Sequence, residues 1–195
     1  TRRGPRRAKP APARSLPSLS RAVDHCADMI ATADLDGQFT FANRAFHVTL
    51  GYSDTDLIGR HFGDVLSERN PPALLQEMGR RALDVQGWKG ECLAVDRAGL
   101  AIPIFLSTGP VHDEKGRVVG TFGIAQDMRA RKEAEAAVRR SEEHFRQLAE
   151  SIREVFFVLT PEPLTMAYIS PMYEEIWGRP RQELYDRAAA WIESV

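Results

Sequence analysis

Apolar positions in this chain follow two periods, and the change between them marks its elements. Residues 29–33 form a short apolar run, and Phe39 and Phe41 then alternate with Gln38 and Thr40. Period-two alternation predicts strands. Asp36-Gly37 between the runs predicts a tight hairpin, because such a turn needs positive φ and Gly supplies it without strain. Asn43 is then placed to cap a helix, and Ala45, Phe46, Thr49 and Leu50 fall at helical spacing up to Gly51. A short lead-in helix is expected at 20–28 and further short helices at 53–58 and 62–66. Pro71-Pro72 opens a longer helix with Leu74, Leu75, Met78, Ala82 and Val85 inward, and Gly87 stops it. Strands follow at 88–96, 101–111 and 118–126, joined by Arg97-Ala98-Gly99 and Asp113-Glu114-Lys115-Gly116. Two strands, a run of helices and a three-strand meander predict an α+β fold, an antiparallel sheet with helices on one side.

From Asp127 the period turns helical. Asp127 can cap, and residues 128–150 contain neither Gly nor Pro. Ala134, Val138, Ser141, Phe145, Leu148 and Ile152 are spaced 4, 3, 4, 3, 4, the a/d stripe of a coiled coil. This predicts a helical linker over 129–152 that forms a homodimer seam. Ser141 at a d position keeps two alternatives open, a new helix capped there or one amphipathic helix packed on its own domain. After the linker the front of the chain returns. Asn43, Phe46, Leu50-Gly51, Leu57 and Arg60 reappear as Ser170, Tyr173, Trp177-Gly178, Leu184 and Arg187, at one offset of 127. Residues 156–159 and 165–170 read as the strands of this second copy.

Composition adds little to that pattern. Apolar residues make up 43% and charged residues 27%, close to the globular norm. The net charge of −1 hides residues 1–20, which carry six basic residues, four prolines and no acid. This stretch reads as a disordered, solvated basic tail, with no clear nucleic-acid or membrane partner. Cys26 and Cys92 lack a CxxC spacing and fit a reducing, cytoplasmic setting. No apolar run is long enough for a membrane helix.

The hairpin, Asn43-Arg44-Ala45-Phe46, Gly51-Tyr52-Ser53, Leu57-Ile58-Gly59-Arg60, Trp88-Lys89-Gly90-Glu91 and Gly123-Ile124-Ala125-Gln126-Asp127 together resemble a PAS domain with its PAC segment. The resemblance covers 21–128 in full, with the PAC-like part at about 88–139, and 147–195 as the N-terminal half of a second, truncated unit. It implies the PAS fold, a five-stranded antiparallel sheet cradling a small cavity against its helices. The family's Asp-Ile-Thr junction reads Asp127-Met128-Arg129 here, so the Asp is kept and the Thr is lost.

The resemblance also frames the chemistry. Light-sensing members place a flavin-reactive thiol in Asn-Cys-Arg-Phe. The matching stretch here is His61-Phe62-Gly63-Asp64, which speaks against cysteinyl-flavin. Haem-binding members place a His on the long helix, and residues 73–86 contain none. Non-covalent flavin or a small metabolite stays open, with Phe41, Phe46, His61 and Trp88 as candidate cavity residues. Asp127, Val138, Phe145 and Leu148 are the candidates for signal coupling. His144 lacks the downstream Pro of a phosphoacceptor helix, and no Walker loop, HExxH or GxSxG occurs. No catalytic or metal site is expected. The expected role is a sensory and dimerisation module, sensing a ligand or redox state for an effector beyond this fragment. A histidine kinase leads, because tandem PAS units with Arg-Lys-x-Ala-Glu linkers resemble kinase input regions. A diguanylate cyclase, a phosphodiesterase or a ligand-free protein-interaction module are the alternatives.

Overall fold

The computed structural model describes residues 21–187; the basic stretch 1–20 and residues from 188 onward, including Trp191, lie outside the described residues. The chain divides into two compact units between Arg131 and Lys132.

In the first unit the lead-in helix ends earlier than expected, at residue 24, within the described residues. Strands β1 (Met29–Ala33) and β2 (Phe39–Ala42) pair antiparallel across the Asp36-Gly37 turn. Asp34 accepts the Asp36 and Gln38 N–H groups at 3.0 and 2.8 Å, which closes the turn. Gly37 has φ 76°. A Cβ there would sit 2.7 Å from His61 Nε2, so this position requires glycine on both counts.

Helix α1 (Arg44–Leu50) starts at Asn43, whose Oδ1 accepts the Phe46 N–H at 3.1 Å, and ends at Gly51 with φ 74°. Helix α2 (Asp54–Leu57) is one turn, its start fixed by the Ser53 N–H donating to Asp56. A 3₁₀ turn (Phe62–Val65) and helix α3 (Pro72–Arg81) follow. Helix α3 ends earlier than its apolar spacing suggests. Residues 82–87 form tight turns, with Gly87 N–H bonded to Asp84 O, and Val85, expected inward, is 90% exposed.

Strands β3 (Trp88–Val95), β4 (Ala101–His112) and β5 (Val118–Asp127) complete a five-stranded antiparallel sheet of order β2-β1-β5-β4-β3. The last strand therefore lies at the centre, against the first. Met29, Leu50, Leu57, Met78 and Ile102 form the centre of the core, each at most 2% exposed. Burying one such side chain stabilises by about 1.5–3 kcal/mol. Asn70, which the apolar pattern does not reveal, ties the segment before α3 to the sheet. It bonds both the N–H and C=O of Leu93, at 2.8 and 2.7 Å. Helix α4 (Arg129–Ser151) leaves β5 after a single residue, Met128, which is buried and whose N–H bonds Pro103 O.

The second unit holds β6 (Phe157–Pro161) and β7 (Leu164–Ile169), an antiparallel pair, then α5 (Met172–Trp177) and α6 (Gln182–Asp186). Met166, Ile169, Tyr173 and Leu184 form its small core. The repeat holds at Gly178, which has φ 64° like Gly51, and at Ser170, fully buried like Asn43. It slips at the first strand. Asn43 N–H bonds Ile30 O, whereas Ser170 N–H bonds Phe156 O, one residue off the 127 offset. Phe145 packs edge-on to Phe156 and Tyr168, with ring centroids 5.7 and 5.5 Å away. Within the linker helix, Val138 and Leu148 remain 59% and 66% exposed, while Ala149, off the stripe, is buried.

Candidate functional site

The inner face of the sheet is short of side-chain volume at its middle. On β1 and β5 the inward positions pair Met29 with Ala125, Ala31 with Gly123 and Ala33 with Thr121. Apart from Met29, these are small residues facing small residues, and they cannot meet the helices that cover them. The result is a cavity of about 90 Å³. Phe46 and Leu50 of α1, Phe62 and Val65 of the 3₁₀ turn, and Met78 of α3 roof it, while Ile104 and Leu106 of β4 extend its floor. The signal for this cavity was present in the sequence as alternate small residues, Ala31 and Ala33 against Gly123 and Ala125, on two strands that are 90 residues apart in the chain. A strand-by-strand reading does not bring them together.

Of the residues expected at the cavity, Phe46 lines it and packs edge-on to Phe39 at 5.6 Å. Phe41 pairs with Thr32 in the hairpin and is not a wall residue. His61 is exposed, stacks on Phe62 at 4.6 Å, and accepts the Gly63 N–H on Nδ1 at 3.0 Å, capping the 3₁₀ turn. It thereby holds the ring of a wall residue without facing the cavity itself. Trp88 is buried, but it packs beside the cavity, its indole lying over Gly90, where a Cβ would approach within 2.9 Å.

The cavity suits few of the family's larger ligands as it stands. Pockets for drug-sized ligands run to about 300–1,000 Å³. A flavin also needs hydrogen-bond partners for its pyrimidine edge, and among the described residues the only polar side chains turned to the cavity are Thr108 and Thr121. Phe62 stands on the wall where light-sensing relatives carry the reactive thiol. Cys92 is buried on β3 outside the wall, and burial pushes its thiol up to about 12, so it stays protonated and unreactive. Among the described residues, no imidazole faces the cavity to hold haem iron. Among the described residues no group of His, Cys, Asp or Glu is arranged to hold a metal ion.

The exit from the cavity is built on Asp127. Its Oδ1 accepts the Arg129 N–H at 2.9 Å, and its carboxylate is paired with the Arg129 guanidinium. Partial burial works against the charge of Asp127, but the Arg129 hydrogen bonds and guanidinium outweigh it and hold the carboxyl below its ordinary value. Arg129 thus stands where the family pattern has Thr, and supplies a charged partner in place of a hydroxyl. Among the described residues, no helix is long and apolar enough to cross a membrane.

Known proteins bear out the architecture. The nitrogen fixation regulatory protein of Klebsiella pneumoniae is 26% identical over 106 residues, which is 54% of this chain; the chain spans only 21% of that protein's length. The PAS domain of a Colwellia psychrerythraea protein superposes with a TM-score of 0.53 at 24% identity, covering 57% of this chain and 95% of that one. An RNA-binding light-oxygen-voltage receptor superposes with a TM-score of 0.58 at 22% identity, covering 72% and 41%. These structural likenesses are of fold alone. The model of the PAS fold family matches residues 23–133, more than half the sequence and the whole of the five-stranded sheet, and the chain therefore belongs to the PAS fold family.

Proposed function

We propose that this chain is a sensory module that reads the occupancy of its cavity and passes the change along helix α4 to an effector. One observation carries the reading. Strand β5 supplies Thr121, Gly123 and Ala125 to the cavity wall and, two residues later, Asp127 to the start of α4. A molecule that wedges the centre of the sheet displaces the strand from which the helix is hung. Such an occupant acts only through its different affinity for two poses of that strand. The exposed stripe of Val138, Phe145 and Leu148 gives α4 a surface on which a second copy would dimerise and receive the change. The regulatory character of the Klebsiella relative supports the signalling role. A histidine kinase is the leading effector, on the linker's Arg131-Lys132-x-Ala134-Glu135 pattern, with a diguanylate cyclase or phosphodiesterase as the alternative. Thiol redox sensing is disfavoured at Cys92, which is buried and held as the protonated thiol.

Filling the cavity tests the coupling. Ala125→Leu is expected to change amide exchange over residues 129–140 as well as at its own strand. Unchanged exchange in the helix, with the sheet still folded, would refute it. A second reading is an interaction module that needs no ligand. It is favoured by Phe105 and Ile124, each 39% exposed, which lie diagonally on neighbouring strands of the outer sheet face. Mass spectrometry of a denatured extract separates the two, since only the first expects a co-purifying small molecule.

A further inference from the structure

The cavity wall also limits the chemistry of its occupant. Resting on the sensory reading above, we infer that the cavity takes an uncharged, chiefly apolar molecule of a few heavy atoms, with at most one polar atom, seated against Thr121.

Size comes first. The cavity of about 90 Å³ is smaller than the roughly 150 Å³ apolar cavity known to stay dry and to bind benzene or xenon. Charge comes second. Among the described residues, no Asp, Glu, Lys, Arg or His lines the wall. An ion entering it would lose its hydration and find no partner, which is prohibitive. Polarity comes third. Thr32 alternates with the inward Ala31 and Ala33 and turns its hydroxyl away from the cavity, to Thr40 at 2.8 Å, and Thr108 accepts the Trp88 N–H at 3.3 Å. Thr121 lies outside both pairs. It sits opposite Ala33 on the inward face of β5, so its hydroxyl is the one left to meet a polar atom of the ligand. The shape comes from Ala31, Ala33, Gly123 and Ala125, so added methyl groups at these places would remove the space itself.

The test uses the full chain with xenon as the apolar probe and flavin mononucleotide as the competing class. Under xenon pressure the amide resonances of Ala31, Gly123 and Ala125 should shift. The shifts should be lost in Ala125→Leu, and again in Ala82→Leu, which fills the cavity from the end of α3. Circular dichroism confirms that each variant is folded. Flavin mononucleotide should give no shift and no bound absorbance. Stoichiometric flavin binding, absence of xenon shifts in the parent chain, or xenon shifts undiminished in both filled variants would overturn the assignment. Amide exchange over 129–151 reads the coupling separately. Xenon binding with unaltered helix exchange leaves the ligand class standing and removes the coupling. Altered helix exchange on filling, without xenon binding, removes the ligand class and leaves the coupling.

Discussion

The two copies of the hairpin and helix use the same local grammar to different ends. Each has a small polar residue buried at the strand-to-helix corner and a glycine in the left-handed conformation one short helix later. In the first unit that corner is Asn43. Its side chain accepts the N–H groups of Ile30 and Phe46 and donates to the carbonyls of Val23 and Asp28. In the second it is Ser170, which accepts from Phe156 and donates to Glu154. The first copy has β3, β4 and β5 to build on. The second, among the described residues, has one strand pair and a core of four buried residues. Local signals set the corner; the meander decides whether the corner roofs a cavity.

The largest test removes matched core leucines. Leu57 and Leu184 are equivalent in the repeat, and both are almost wholly buried. Leu57→Ala is expected to destabilise the first unit by about 3–4 kcal/mol, since rigid surroundings keep the space open. Leu184→Ala should cost about 2 kcal/mol, because a smaller core collapses more readily around the loss. Amide-exchange mass spectrometry reads each unit in the intact chain. Equal losses would mean that the second core is as well supported as the first.

Next come the corner residues. Asn43→Ala removes a cap and leaves buried backbone groups unpaired, with an expected cost of about 2–3 kcal/mol. Ser170→Ala should cost about 1 kcal/mol. Asn43→Ser makes the first corner resemble the second, and should fall between the two. If it matched Asn43→Ala, the serine hydroxyl would be unable to reach the strand from that corner.

These contrasts show which parts of the fold could be read from the sequence. The elements were legible wherever one local rule decides them. Alternation placed β1 and β2, Asn43 and Gly51 bounded α1, and turn residues separated β3, β4 and β5. Helix α3 was over-extended because Val85 keeps the helical period after the chain has turned away. The tie from Asn70 to Leu93 was not legible, since it joins residues 23 apart through side-chain geometry alone. The site was the least legible part. Large aromatics drew attention, yet Phe46 alone among the four candidates reaches the wall, because a cavity forms where side chains are small. The linker stripe was legible as a period, but Phe145 also serves its own unit, packing against Phe156 and Tyr168.

A matched pair of glycines sharpens the comparison from the other side. Gly51 and Gly178 end equivalent helices with φ of 74° and 64°, and an added Cβ would meet only Arg97 at 3.7 Å in the first case and nothing nearby in the second. Alanine at either place should therefore cost about 1–2 kcal/mol, the strain of a left-handed backbone. Equal losses are the expected result, in contrast to the leucine pair. A much larger loss at Gly51 would show that tertiary packing enters the helix end as well.

The smallest contrast is in acid. In the first unit Ser53 hydrogen bonds hold Asp56 below its ordinary value, and Arg117 does the same for Asp113. Asp127 is held low against its own partial burial by Arg129. In the second unit Glu174 is lowered, chiefly by the Arg181 N–H. A carboxyl whose folded value lies below its unfolded value stabilises above the unfolded value, near pH 4, and loses that contribution as pH falls through the folded one. Asp56, Asp113 and Asp127 are half-buried and Glu174 is exposed, and since solvent reaches every one of them each effect is small and screened by salt. Among the described residues, three such groups against one nevertheless predict a steeper acid slope in the first unit. The urea midpoint, followed below about pH 5 through the amide resonances of Gly123 and Ser170, measures both slopes in one sample. Asp127→Asn should flatten the slope at Gly123 and leave that at Ser170 unchanged. A slope at Ser170 equal to the parent's at Gly123 would mean that these carboxylates do not set the acid response, and that the two copies differ in packing alone.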